Sequence, residues 1–305
     1  MFQNISSSTK GIILVNLAVL GFSLSNAFVK LVSDSISVGE ILFFRSLFFF
    51  IPFYFYFVIK NKSFVAANSI FKTDKFWLQT FRGIIGAVGL LFIFYGFANL
   101  PLAEASALNF STTLFVTVLS VPILKESVGW KRWLAVFVGF SGVLFIAQPS
   151  TGTFMSLSFL VAGIALLGAF LDSLSLVYNR LLSKTDSSLC ILAHYSLWML
   201  LVSFLFFLKN PVIPSLTNII LLMGVTVGSS FGQYAVTKAF SYAEASLISP
   251  FFYLLIAWGV LFGYLFWQEV PTDNVLFGSF IVICVSIFMS RNKKSRFSFS
   301  KNFKN

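Results

Sequence analysis

Long apolar blocks constrain this chain more than any other feature of its sequence. Ten blocks follow one another along its 305 residues, and each is close to the roughly 20 residues that an α-helix needs to cross the hydrocarbon core of a bilayer. They cover residues 11–31, 39–59, 77–98, 102–123, 130–147, 157–178, 188–208, 217–239, 244–267 and 274–290. The sequence therefore predicts an all-α integral membrane protein with ten transmembrane helices.

The composition leaves little room for a water-soluble domain. A soluble domain carries about a quarter charged residues, whereas this chain has 10% charged and 58% hydrophobic residues. The first block lacks a small-residue cleavage site, so we interpret it as a retained helix and not as a signal peptide. Cys190 and Cys284 both fall within blocks and have no metal-ligand spacing. We therefore expect no disulfide, metal or other cofactor.

The basic residues predict how the chain is oriented. Ten spans place both termini on one side, and a cytoplasmic placement puts most of the 21 Lys and Arg residues in cytoplasmic segments. The basic tail, residues 291–305, is then cytoplasmic. The net charge of +11 is thus a signal of topology, and we expect a lipid bilayer but no nucleic acid as a partner.

A short motif indicates an internal repeat. Ala-Glu-Ala-Ser occurs at Ala103–Ser106 and again at Ala243–Ser246, and each copy opens an apolar run. Residues 29–37 (VKLVSDSIS) align with residues 179–187 (NRLLSKTDS) at a similar offset. The order of these features is the same in both halves, so we infer a duplication.

The predicted repeats are residues 11–149 and 156–290, with five spans each. Because five is odd, the second repeat enters the membrane from the opposite face, which gives an inverted-topology repeat. This architecture is typical of secondary transporters, whose binding site lies near mid-membrane between the repeats. Glu104 and Glu244 each fall in the first turn of a predicted helix, where the helix dipole favours a carboxylate. Each is either a helix cap or a gate.

Two segments resemble the ten-helix EamA-type transporters of the drug/metabolite transporter superfamily. They are residues 99–149 and residues 240–271, the latter with the pattern A-S-x-x-x-P-x-x-Y and a closing E-x-P. The resemblance implies a secondary carrier of the bacterial cytoplasmic membrane with both termini inside. It also implies that spans 1–4 and 6–9 surround a central cavity, and that spans 5 and 10 lie outside it, at a homodimer contact. Ser111-Thr112-Thr113 departs from the family, because many relatives have a proline there.

The resemblance implies a small-molecule metabolite as substrate. Members of the family carry amino acids and other metabolites, and some carry S-adenosylmethionine or riboflavin. The Phe, Lys and Asn usage suggests an A/T-rich genome, often found in reduced bacteria that import finished metabolites. We therefore favour uptake of an S-adenosylmethionine-like cofactor, with export of an amino acid or related metabolite as the alternative.

Ionisable residues inside the blocks are the sharpest candidates for the site. Arg45 is predicted to meet a substrate carboxylate, and Asp172 a substrate cation or a proton. The alternative is a structural pairing of these two with each other or with Glu40. Arg82, near the inner end of span 3, is expected to snorkel to the headgroups. Within several blocks, polar and aromatic residues recur three or four positions apart and so share one face of a helix, here called a polar seam. These seams predict the remaining cavity residues, which are Asn26, Asn109, Ser175, His194, Tyr195, Trp198, Gln233 and Tyr253.

Two other classes of protein fit less well. A membrane-embedded enzyme needs a cluster of catalytic or metal-binding side chains, and a single histidine with scattered carboxylates does not form one. We therefore expect no enzymatic activity. A channel needs a polar path but no inverted duplication, and its flux would not saturate.

Overall fold

A computed structural model describes residues 6–63, 68–125, 157–209, 211–248 and 251–270 apart from Tyr253, with scattered residues in 129–141 and 273–284. Within these ranges the chain forms helices and turns only. The helices are α1 (Ser7–Val32), α2 (Val38–Asn61), a 3-10 helix (Asn68–Phe71), α3 (Phe76–Asn99), α4 (Leu102–Leu124), α5 (Leu157–Leu182), α6 (Ser188–Phe207), α7 (Leu216–Tyr242), α8 (Ala245–Ile248) and α9 (Leu254–Trp267).

Seven of these helices, α1 to α7, are long and apolar enough to cross a membrane. Each coincides with a block predicted from the sequence. The ninth predicted block is covered by the short α8 and the apolar α9 together. The fifth and tenth predicted blocks, 130–147 and 274–290, lie largely outside the described residues, and the basic tail at 291–305 lies entirely outside them.

The turn between α1 and α2 has the same hydrogen bonds as the turn between α5 and α6. The Ile36 amide donates to a carbonyl four residues earlier at 3.0 Å, and the Asp186 amide does the same at 2.8 Å. A serine then caps the next helix in each case, Ser37 before α2 and Ser187 before α6. The two aligned stretches of sequence therefore fold in the same way.

The most extensive helix contacts join one half of the chain to the other. Helix α1 packs along α7, α3 along α5, and α2 against α6. Helix α4 also packs on α5, and α9 packs on α1. The helices of the first half correspond in order to those of the second, α1 to α5, α2 to α6, α3 to α7 and α4 to α9. Replacing each helix by its counterpart turns the α1–α7 contact into the α3–α5 contact and the α4–α5 contact into the α1–α9 contact, and it leaves the α2–α6 contact unchanged. The packing thus has the pseudo-two-fold symmetry that a two-repeat chain predicts.

Glycines allow the helix backbones to approach closely in the two most extensive contacts, α1 with α7 and α3 with α5. A Cβ at Gly21 of α1 would lie 2.7 Å from the carbonyl oxygen of Gly228 in α7. In the equivalent crossing, a Cβ at Gly168 of α5 would lie 2.9 Å from the carbonyl oxygen of Gly89 in α3. Inside a membrane the hydrophobic effect does not drive helices together, and small residues let their backbones approach closely enough to associate by van der Waals packing. Both crossings hold the helices around a space between the halves.

Candidate functional site

A cavity lies between the two halves and is lined by α1 to α7 and by the start of α9. It is partly open to solvent. Its apolar lining is Phe22, Leu90, Ile93, Phe94, Leu176, Phe252 and Leu255. Its polar lining is Ser25, Asn26, Arg45, Asn109, Thr112, Asp172, Tyr195, Ser229 and Gln233.

The cavity contains one cation and one anion, which come from different halves of the chain. Arg45 of α2 is 6% exposed, and its Nε donates a hydrogen bond to the Ser229 hydroxyl at 2.6 Å. Asp172 of α5 is partly exposed to the cavity. Among the described residues, no donor hydrogen-bonds to its carboxylate. Arg45, Asp172 and Tyr195 are close enough to interact electrostatically.

Six of the residues predicted from the sequence line this cavity together. They are Asn26, Arg45, Asn109, Asp172, Tyr195 and Gln233. Ser25 and Ser229 also line it, although the polar seams did not include them. Ser229 is followed directly by Ser230, so the sequence offers two adjacent serines there. Only the neighbouring helices determine which of two adjacent serines faces inward.

Three predicted residues lie behind the cavity lining. Ser175 donates to the backbone carbonyl of Arg82 at 3.3 Å, which ties α5 to α3. The His194 Nε2 is 3.0 Å from the Phe71 carbonyl oxygen and holds the 3-10 helix against α6. Trp198 packs against α3. Each of these side chains faces another helix or a connecting segment. Tyr253 lies outside the described residues.

Arg82 was expected to snorkel, and this expectation is wrong. Its side chain is 1% exposed, and its guanidinium carbon lies 4.5 Å from the centre of the Tyr195 ring. Its Nε and Nη1 have no hydrogen-bond partner among the described residues. Because it also interacts electrostatically with Asp172, Arg82 places a second positive charge behind the cavity wall.

The two glutamates of the repeated motif lie at helix starts. Glu104 is in the first turn of α4, and Glu244 directly precedes α8. The first turn of α4 has an unexpected partner, because the Leu102 amide donates to Oε2 of Glu269 at 3.2 Å. The side chain that caps α4 therefore comes from the other half of the chain. This contact joins residues too far apart in sequence for any local pattern to predict it.

In the part of the chain that the structure describes, no three His, Cys, Asp or Glu side chains cluster as metal ligands would. The chemistry of the cavity is therefore that of charge and hydrogen bonding by Arg45, Asp172 and the amides and hydroxyls around them. Such a lining recognises a ligand with complementary charges and hydrogen-bonding groups.

Known proteins of similar sequence are membrane transporters. CntI, a pseudopaline exporter of Pseudomonas aeruginosa, is 30% identical over 285 residues, which are 93% of this chain and 97% of the relative. An S-adenosylmethionine uptake transporter of Rickettsia prowazekii is 26% identical and covers 92% of each chain. A riboflavin transporter of Vibrio cholerae is 29% identical and covers 74% of this chain and 76% of its own.

One solved crystal structure shares the fold at 14% sequence identity. Its TM-score is 0.70, and the match covers 94% of this chain and 99% of the other. The EamA-like transporter family matches this sequence twice in succession, at residues 9–148 and 152–291. With two matched segments and seven apolar helices long enough to span a bilayer, the chain is a multi-pass membrane transporter that belongs to the EamA-like transporter family.

Proposed function

We propose that the cavity binds a small amphoteric metabolite, with a carboxylate and a cationic group, and that the chain moves it across the cytoplasmic membrane by alternating access. The observation that carries this proposal is the placement of Arg45 and Asp172 in one cavity. Ionisable side chains inside a membrane are costly, and those that face a cavity mark substrate or ion pathways. An amphoteric ligand would complement both charges at once.

The contacts of Arg45 leave it able to bind a ligand. Its Nε is used by Ser229, and its guanidinium also interacts with the Tyr195 hydroxyl. A guanidinium has five N–H donors in a fork that matches a carboxylate, so donors remain for a ligand. A structural pairing with Glu40 is disfavoured, because the Glu40 carboxylate accepts the Ser37 amide at 3.0 Å in a capping box. A direct pairing with Asp172 is also disfavoured, since among the described residues the ion pair within 4 Å is a different one, Lys30 with Glu269.

The polar neighbours of the two charges support a ligand of defined orientation. Asn26 and Asn109 offer amide donors and acceptors from α1 and α4, and Gln233 does so from α7. The equivalent of Arg45 in the second half is Tyr195, so the lining is not symmetric although the helices are. An asymmetric ligand requires such an asymmetric lining.

We favour uptake of an S-adenosylmethionine-like cofactor as the transport activity. Such a molecule has a carboxylate, an ammonium and a sulfonium, and it therefore suits Arg45 together with Asp172. The similarity to the Rickettsia S-adenosylmethionine uptake transporters supports this direction. Export of an amino-acid-like metabolite is the second candidate, and the similarity to the pseudopaline exporter supports it.

The test is transport by purified protein in liposomes. We expect saturable entry of labelled S-adenosylmethionine that unlabelled S-adenosylmethionine competes away, while riboflavin does not, both with and without a pH gradient. Release of a preloaded amino acid, with no entry of S-adenosylmethionine, would make the protein an exporter. Flux that does not saturate would contradict alternating access.

We also propose the finer architecture on which alternating access depends. It consists of ten spans in two inverted repeats, residues 11–149 and 156–290, with both termini and the tail at 291–305 in the cytoplasm. The symmetric packing of helices across the halves supports the inverted repeat. A homodimer would form through the fifth and tenth spans, and cysteine cross-linking between chains in membranes tests it.

A further inference from the structure

We propose that Lys30, Glu269 and the amide of Leu102 form a lock that closes the cavity at the end of the bundle where α1 ends and α4 begins. This inference rests on the proposed function, because a lock matters only if the cavity opens in alternation to the two sides. It concerns residues outside the cavity lining.

The lock joins three helices by direct contacts. The Lys30 ammonium at the end of α1 forms an ion pair with Oε1 of Glu269, which follows α9. The other carboxylate oxygen, Oε2, accepts the Leu102 amide at the first residue of α4. Lys30 also lies 4.9 Å from the centre of the Trp267 ring. The Glu269 carboxylate therefore holds the end of α1 against the start of α4.

The backbone aims the Glu269 side chain at these partners. Gln268 has a left-handed conformation, with φ 57°, and turns the chain back on α9. The Glu269 amide then donates to the Gly263 carbonyl at 3.2 Å. A Cβ at Gly263 would lie 2.8 Å from Oε2 of Glu269, so the glycine makes room for the carboxylate. A left-handed residue directly after the last helical residue is a common helix C-cap, and here it directs the carboxylate towards α1 and α4.

The partners of Glu269 favour the closed state. The start of an α-helix carries a partial positive charge from its unpaired amides, so a carboxylate is stabilised there. The side chains of Lys30 and Glu269 are 15% and 30% exposed, and the pair is therefore only partly screened by water.

Lys30 lies one helical turn beyond Asn26 of the cavity, and Leu102 lies about 15 Å along α4 from Thr112 at 1.5 Å per residue. The lock thus sits at the end of the cavity, one helical turn beyond its lining.

Opening of the cavity to this side requires the contact to break. Helices α4 and α9 must move away from the end of α1 for a ligand to pass between them. Because Lys30 and Leu102 belong to the first half and Glu269 to the second, the lock resists a relative movement of the halves. This is the movement on which alternating access depends in inverted-repeat transporters.

Thiol labelling tests the lock without any substrate, so it remains informative if the proposed substrate is wrong. Cys190 and Cys284 are replaced by serine, and Thr112→Cys supplies a reporter in the cavity. A membrane-impermeant maleimide is applied from each side in turn, with intact cells and with inside-out vesicles. A separate variant, Asp34→Cys, reports which side the end of α1 faces, because Asp34 is exposed in the following turn.

Lys30→Met and Glu269→Gln should each speed labelling of the reporter about fivefold or more, the factor expected for loss of a partly buried ion pair. The increase should occur only from the side that labels Asp34→Cys. The double variant should label no faster than Glu269→Gln alone, since that variant already removes the ion pair along with the charge at the start of α4. Lys209→Met, which removes an exposed lysine elsewhere, should leave labelling unchanged.

Three outcomes would overturn the proposal. They are unchanged labelling in both single variants, equal increases from both sides, and a double variant whose increase is the product of the two single increases. Lys30→Arg keeps the charge and should keep the slow labelling. If Glu269→Gln does not fold, Lys30→Met and Lys30→Arg still decide the matter.

Discussion

Replacement of Asp172 by asparagine tests the proposed ligand most directly. Asp172→Asn keeps the size and shape of the side chain and removes its negative charge. Because no donor among the described residues hydrogen-bonds to this carboxylate, the substitution breaks no protein contact of that kind. It does remove the electrostatic interaction of Asp172 with Arg82 and Arg45, which acts on folding, whereas a selective loss for a cationic ligand reports the contact with that ligand.

The expected loss follows from the strength of a hydrogen bond to a charged group. Such a bond contributes about 1.5–3 kcal/mol, and each 1.4 kcal/mol is about a tenfold change in an equilibrium constant. We therefore expect the affinity for S-adenosylmethionine to fall by roughly 10- to 150-fold. A ligand without a cationic group that binds in the cavity should lose little.

The assay is the concentration dependence of uptake into liposomes, together with equilibrium binding in detergent. Asp34→Asn is the matched control, because Asp34 is an exposed carboxylate in the turn after α1. Thermal unfolding in detergent shows whether Asp172→Asn folds. If this variant is folded and binds the cationic ligand within about twofold of the unsubstituted protein, well below the tenfold that 1.4 kcal/mol represents, Asp172 does not bind it.

Three further outcomes are expected. Arg45→Gln should weaken binding of a carboxylate-bearing ligand by roughly 10- to 150-fold while its carboxamide analogue loses little, and equal losses for both would contradict a carboxylate contact. Gly83→Ala should lower the unfolding temperature, because the new Cβ would lie 2.6 Å from the Trp198 Cβ, whereas Gly163→Ala, with no atom within 4 Å, should not. Glu104→Gln should slow reporter labelling, because Glu104 repels the lock carboxylate of Glu269 more strongly than it attracts Lys30, and faster labelling would refute this electrostatic reasoning.

The positions of the helices could be predicted from the sequence to a large extent. The apolar blocks coincide with α1 to α7 because bilayer thickness sets the length of a span and polar residues mark its ends. The ninth block was harder to assign. Phe251 and Phe252 within it have a 3-10 conformation, which hydropathy alone does not distinguish from an α-helix.

The candidate site was predictable only in part. On α6, Tyr195 faces the cavity, while His194 and Trp198 face the 3-10 helix and α3. All three sit on sides of the helix that contact protein, and periodicity separates protein from lipid but not one protein neighbour from another. Arg82 illustrates a second limit, because its burial beneath Tyr195 depends on a helix from the other half.

The pairing of α1 with α7, α3 with α5 and α2 with α6 also has a consequence for biosynthesis. A nascent first half that has left the ribosome and entered the membrane lacks the surfaces against which its helices pack most extensively. Its glycine-lined faces and the buried cations Arg45 and Arg82 then meet lipid or insertion machinery until the second half arrives. Assembly must therefore wait for α5 to α7 to be translated. Two separately expressed halves should accumulate only when both are present in the same cell.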